Sequence, residues 1–61
     1  MNETVKTLIN TSVEDCKSTL PHIESIELLN LAATEAVKRN MKSKLVLITR
    51  RIIQLQEQWK G

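Results

Sequence analysis

A chain of 61 residues with nine Lys and Arg, seven Asp and Glu and a net charge of +2 is one small domain, too weakly basic to mark a nucleic-acid binder by charge alone. Cys16 is the only cysteine, which excludes an internal disulfide, and Cys16 with His22 falls short of the roughly four ligands of a zinc site. One Pro, one Gly at position 61 and Trp59 as the single aromatic residue leave little material for hairpin turns, so the fold class expected is all-α with a core of Leu, Ile, Val and Ala.

The first helix is expected over about 3–20. Its apolar set Val5, Ile9, Val13, Cys16 and Leu20 follows helical spacing, and Asn2 can cap it with Glu3 near the positive end of the dipole. Asn10, Thr11 and Ser12 are poor helix formers, and Ser12 with Asp15 three residues later also reads as a capping box, so a bend or split is expected there. Cys16 itself reads as a small buried apolar residue.

Pro21 fits a first turn and not a helix interior, which stops the first helix near Leu20 and starts a second, expected over about 22–39. Its face is Ile26, Leu29, Ala33, Ala36 and Val37 with Ala32 beside it, and the alanines allow a close helix approach. Leu28 and Leu31 fall off that stripe, and His22 faces solvent.

The last helix, expected over about 43–59, carries the strongest periodicity: Met41, Leu45, Ile48, Ile52, Leu55 and Trp59 alternate in steps of four and three like a coiled-coil seam. Projected backwards this seam meets Thr34 and Glu27, and the preceding stripe projected forwards meets Asn40 and Lys44, so the two helices do not join. A break between Arg39 and Ser43 resolves the conflict, with Asn40 in the left-handed conformation and Ser43 as the next cap.

Val46 and Ile53 lie almost opposite the seam on a helical wheel, which makes the last helix apolar on two sides. Two such sides suit a three-helix domain that associates into a dimeric helical bundle, with Leu45, Val46, Ile48, Ile52, Ile53, Leu55 and Trp59 forming the protein interface. The plainer reading leaves Val46 and Ile53 as single exposed aliphatics and Trp59 as the closure of the bundle's end.

Charge divides along the chain: residues 1–35 hold two Lys against six acids, and residues 36–61 hold seven basic residues against Glu57 alone. Lys38, Arg39, Lys42 and Lys44, extended by Arg50 and Arg51, form a basic corner that could hold phosphates. Against nucleic-acid contact, the helix after the turn begins Leu45-Val46-Leu47-Ile48, which is core material and not a polar recognition surface.

No interior glycine offers a phosphate-cradling loop, and one histidine supports no Ser-His-Asp set, so neither catalysis nor a cofactor nor a small-molecule substrate is expected. No stretch approaches the ~20 apolar residues of a membrane span and the first ten residues lack signal-peptide order, so no membrane partner and a cytoplasmic location are expected. The function expected is a small interaction module, an adaptor, inhibitor or assembly factor, that homodimerises through its last helix and docks another protein. The alternative is a dimeric nucleic-acid-binding regulator using the basic corner.

Overall fold

A computed structural model describes the backbone of residues 2–60 and the side chains of residues 2–58. Every regular element in it is helical: α1 (Glu3–Asn10), α2 (Val13–Thr19), a 3-10 turn (Leu20–His22), α3 (Ile26–Lys38) and α4 (Lys42–Lys60). The α3–α4 pair folds back on itself and forms the main packing surface. From the N-terminal half, α1 lies on α3 while α2 and the 3-10 turn lie on α4.

The expected three helices are thus four, because the first is split. Thr11 and Ser12 are both extended, at ψ 171° and 163°. Ser12 turns its hydroxyl to accept the Asp15 amide at 3.2 Å, which rewards leaving the helix at a place where helix propensity is already low. At the other end of α1, Asn2 accepts the Thr4 amide at 2.8 Å. The split also resets the helical phase. Val5, Ile9, Cys16 and Leu20 are buried as expected, but Val13 is exposed at the start of α2 and Leu8 takes a core place instead.

Pro21 does not open the second helix as expected; it sits in the 3-10 turn, and residues 23–25 follow without helical structure. The helix begins only at Ile26, where Ser25 accepts the Leu28 amide at 3.3 Å and relieves one of the free donors of the first turn. Its buried face is Leu29, Ala32 and Ala36, with Ile26, Leu28 and Ala33 partly covered. Val37, expected on that face, is 62% exposed, since the face centres on Ala32 and Val37 lies beyond its edge.

The break between α3 and α4 falls where the phase conflict requires it. Asn40 adopts φ 58°, the Met41 amide donates to the Ala36 carbonyl at 2.8 Å and the Asn40 amide to the Val37 carbonyl at 3.1 Å. Those paired bonds close the helix as a Schellman motif with asparagine where glycine is commonest. Ser43 is not the next cap. Met41 accepts the Leu45 amide and α4 starts at Lys42, which leaves Ser43 inside the first turn.

Asparagine tolerates the left-handed region better than residues with a branched Cβ. Asn40→Val is therefore expected to lower stability by about 1–2 kcal/mol and Asn40→Gly to leave it within a few tenths, read from urea denaturation midpoints. Equal midpoints for the two variants would contradict the assignment of strain to this residue.

Candidate interaction surface

The seam of α4 is largely consumed inside the chain. Ile48 and Leu55 are buried at 0% and 2% exposure, and Met41, Leu45, Leu47 and Ile52 pack partly covered against the same core. Ile48 and Leu55, expected at an interface with another chain, instead contact this chain's own core, because α3, α2 and the 3-10 turn fill the space in front of α4. Trp59, the last residue of the seam, lies outside the described side chains.

Two cations share this inner side. Lys44 is only 6% exposed, and its ammonium donates to the Ile9 carbonyl at 2.6 Å and to the Thr11 carbonyl. These are free acceptors at the end of α1, a helix that has no basic residue in its last turn. The positive charge also meets the negative end of that helix's dipole. Seven residues on, the Arg51 guanidinium donates from Nε to the Ile23 carbonyl at 3.2 Å and from Nη2 to the Pro21 carbonyl at 3.1 Å. Its Nη1 reaches Gln54 Oε1 at 3.4 Å. Seven residues make nearly two turns, so both cations point the same way and each ties down one N-terminal segment.

This changes the basic corner. Lys44 is withdrawn from any phosphate surface by burial, and Arg51 has donors committed to backbone carbonyls. Lys38 and Arg39 remain exposed but share Glu35, at 3.9 Å and 3.2 Å. Lys42 and Arg50 are exposed, without an ion pair among the described residues. Arg50 and Arg51 meet Lys17 of α2 in a cleft of about 200 Å³, a grouping that helical spacing within α4 alone does not reveal. The six expected contacts therefore do not form one surface.

Lys44 has a further neighbour. The Cys16 thiol is fully buried, and burial pushes its pKa above the ordinary value, with the charge of Lys44 drawing it partly back. A thiol held protonated and out of solvent is a packing group, not a nucleophile.

The outer side of α4 is different. Val46 and Ile53 are 49% and 48% exposed, in line with each other along the helix. Lys42, Thr49, Arg50 and Glu57 surround them and are all exposed. The other large exposed aliphatics, Val13, Leu31 and Val37, lie on α2 and α3. No described helix is long and apolar enough to cross a membrane.

Compared with models of known families, with curated proteins and with solved structures, the chain has no significant match.

Proposed function

We propose that this chain is a small helical protein–protein interaction module of the cytoplasm, an adaptor, inhibitor or assembly factor, that pairs with a second copy of itself through α4. The observation that carries this reading is the outward line of Val46 and Ile53 on a helix whose opposite side already serves the core. A helix packed on one side needs no second apolar line for its own fold. Covering both residues contributes on the order of 3 kcal/mol per chain before ordering terms, which matters for a domain of this size. The cytoplasmic part rests on Cys16, a lone buried thiol suited to a reducing compartment.

A nucleic-acid regulator is the less favoured reading, because Lys44 and Arg51 satisfy backbone carbonyls and Lys38 and Arg39 share a carboxylate. The deciding measurement is sedimentation equilibrium over a concentration series on the wild-type chain and on Val46→Lys/Ile53→Lys. The wild type is expected to dimerise, and the double variant to keep its helical circular dichroism while associating about 100-fold more weakly. A strictly monomeric wild type overturns the reading. Tight binding to random duplex DNA that falls steeply with salt would move it to nucleic acid.

A further inference from the structure

We infer that two α4 helices pair antiparallel about a two-fold axis passing between Thr49 and Arg50, with Val46 of each copy against Ile53 of the other. This rests on the proposal that α4 self-associates, and it adds the register and direction of that contact.

In an antiparallel pair related by a two-fold axis, facing residues have numbers that add to a constant. Placing Val46 opposite Ile53 fixes that constant, and every other outward residue then has its partner assigned. Lys42 falls opposite Glu57, and Thr49 opposite Arg50. All six are exposed, and at ~100° per residue they project within one sector of α4, away from the side carrying Ile48, Lys44 and Leu55. The stripe from Lys42 to Glu57 spans about four turns, or roughly 22 Å, so a single helix–helix contact covers it.

Charge decides the direction. A parallel pair in register would set Lys42 against Lys42, Arg50 against Arg50 and Glu57 against Glu57, three like-charge contacts. The antiparallel pair replaces the outer two with opposite charges, one Lys42–Glu57 pair at each end of the apolar centre, while the two Arg50 side chains flank the axis in either direction and do not discriminate. Lys42 and Glu57 have no ion pair within their own chain among the described residues, so they are available for it. Such exposed pairs are individually weak and act mainly by excluding wrong registers. A contact made by one exposed helix face alone is expected to be reversible and concentration-dependent.

Two substitutions test direction separately from association. Lys42→Glu and Glu57→Lys, each alone, place like charges at both ends of an antiparallel dimer and are expected to weaken self-association about tenfold at low salt. An equimolar mixture of the two variants restores opposite charges at both ends, and it is expected to form a heterodimer at least as tight as the wild type. If the wild type dimerises but each single variant self-associates as tightly as it does, the antiparallel register is wrong while self-association stands, because a parallel pair faces like charge with like before and after either substitution. If the wild type does not dimerise, the underlying proposal fails.

A covalent readout uses Val46→Cys and Ile53→Cys, both in a Cys16→Ala background. Mild oxidation of the mixed variants is expected to give a 46–53 crosslink, and neither variant alone should give its own. Efficient crosslinking of Val46→Cys to itself would overturn the proposal in favour of a parallel pair. Neither position is buried in the chain, and wild-type helical circular dichroism of the Cys16→Ala background establishes that the fold survives the loss of that buried thiol.

Discussion

Replacing Lys44 with Met is expected to lower the stability of the folded chain by about 2–3 kcal/mol, although a surface lysine at the same helix end would be nearly silent. Methionine keeps most of the aliphatic stem and removes the ammonium. The Ile9 carbonyl loses its donor in a buried place and the Thr11 carbonyl in a partly buried one. Desolvation of the ammonium in the native protein opposes this, since burying a charge is unfavourable, but two carbonyls and the end of a helix dipole offset it. Charge-assisted hydrogen bonds are worth about 1.5–3 kcal/mol, and unpaired buried acceptors carry their own cost, so removal dominates.

A domain of this length holds about 3–9 kcal/mol in total, so the variant is expected to approach the unfolding threshold. Urea denaturation followed by circular dichroism measures the loss, with Lys6→Met, at an exposed lysine of α1, as the control expected to change by less than about 0.5 kcal/mol. Because the pair is buried, the difference should persist at high salt. Coincident midpoints for the two variants would refute the capping role.

The second large effect separates the two sides of α4 with one residue type. Ile48→Ala is expected to cost about 3 kcal/mol, the range for deleting a large aliphatic from a packed core and leaving a cavity. Ile48 has 0% exposure and sits among Leu8, Leu29 and the alanines of α3 in one buried cluster. Ile53→Ala, five residues on, is expected to change the stability of the monomer by less than about 0.5 kcal/mol, since the side chain is half exposed and alanine favours the helix. Its effect should fall on self-association instead. Thermal unfolding at a concentration low enough to keep the chain monomeric checks both, and similar losses at the two sites would mean that the outward side of α4 is structurally required.

Much of the architecture was legible because local signals agreed. The phase conflict between the two stripes located the break, and Asn40 supplied the left-handed residue it needed. Ser12 and Asp15 announced the second capped start within the first helical stretch. Pro21 pointed to the wrong start for the next helix: a proline suits both a helix start and a single 3-10 turn, the chain uses the second, and Ser25 caps the helix instead. Ser43 was the opposite error, a good capping residue placed two positions too late.

The roles of Lys44 and Arg51 were the least legible. Both read as surface charge because a cation between aliphatic residues has no local sign of what it touches, and the carbonyls it satisfies lie about 30 residues away in sequence. A clue existed. α1 ends without glycine, without a basic residue in its last turn and in front of another capped helix, so its free carbonyls required a donor from elsewhere. The outward line of Val46 and Ile53, by contrast, followed directly from the wheel once the inner face was placed.

The seven-residue spacing of Lys44 and Arg51 makes α4 a ruler. It sets the end of α1 and the end of the 3-10 turn about 10 Å apart along one axis, whatever the path of the chain between them. Adding one residue to α4 between the two cations would turn one about 100° away from its carbonyls, while the connection at Thr11 and Ser12 could absorb the same insertion at its surface. Length is thus constrained more tightly inside this helix than in the segments it holds, and homologues of this chain should vary in the latter and keep the former.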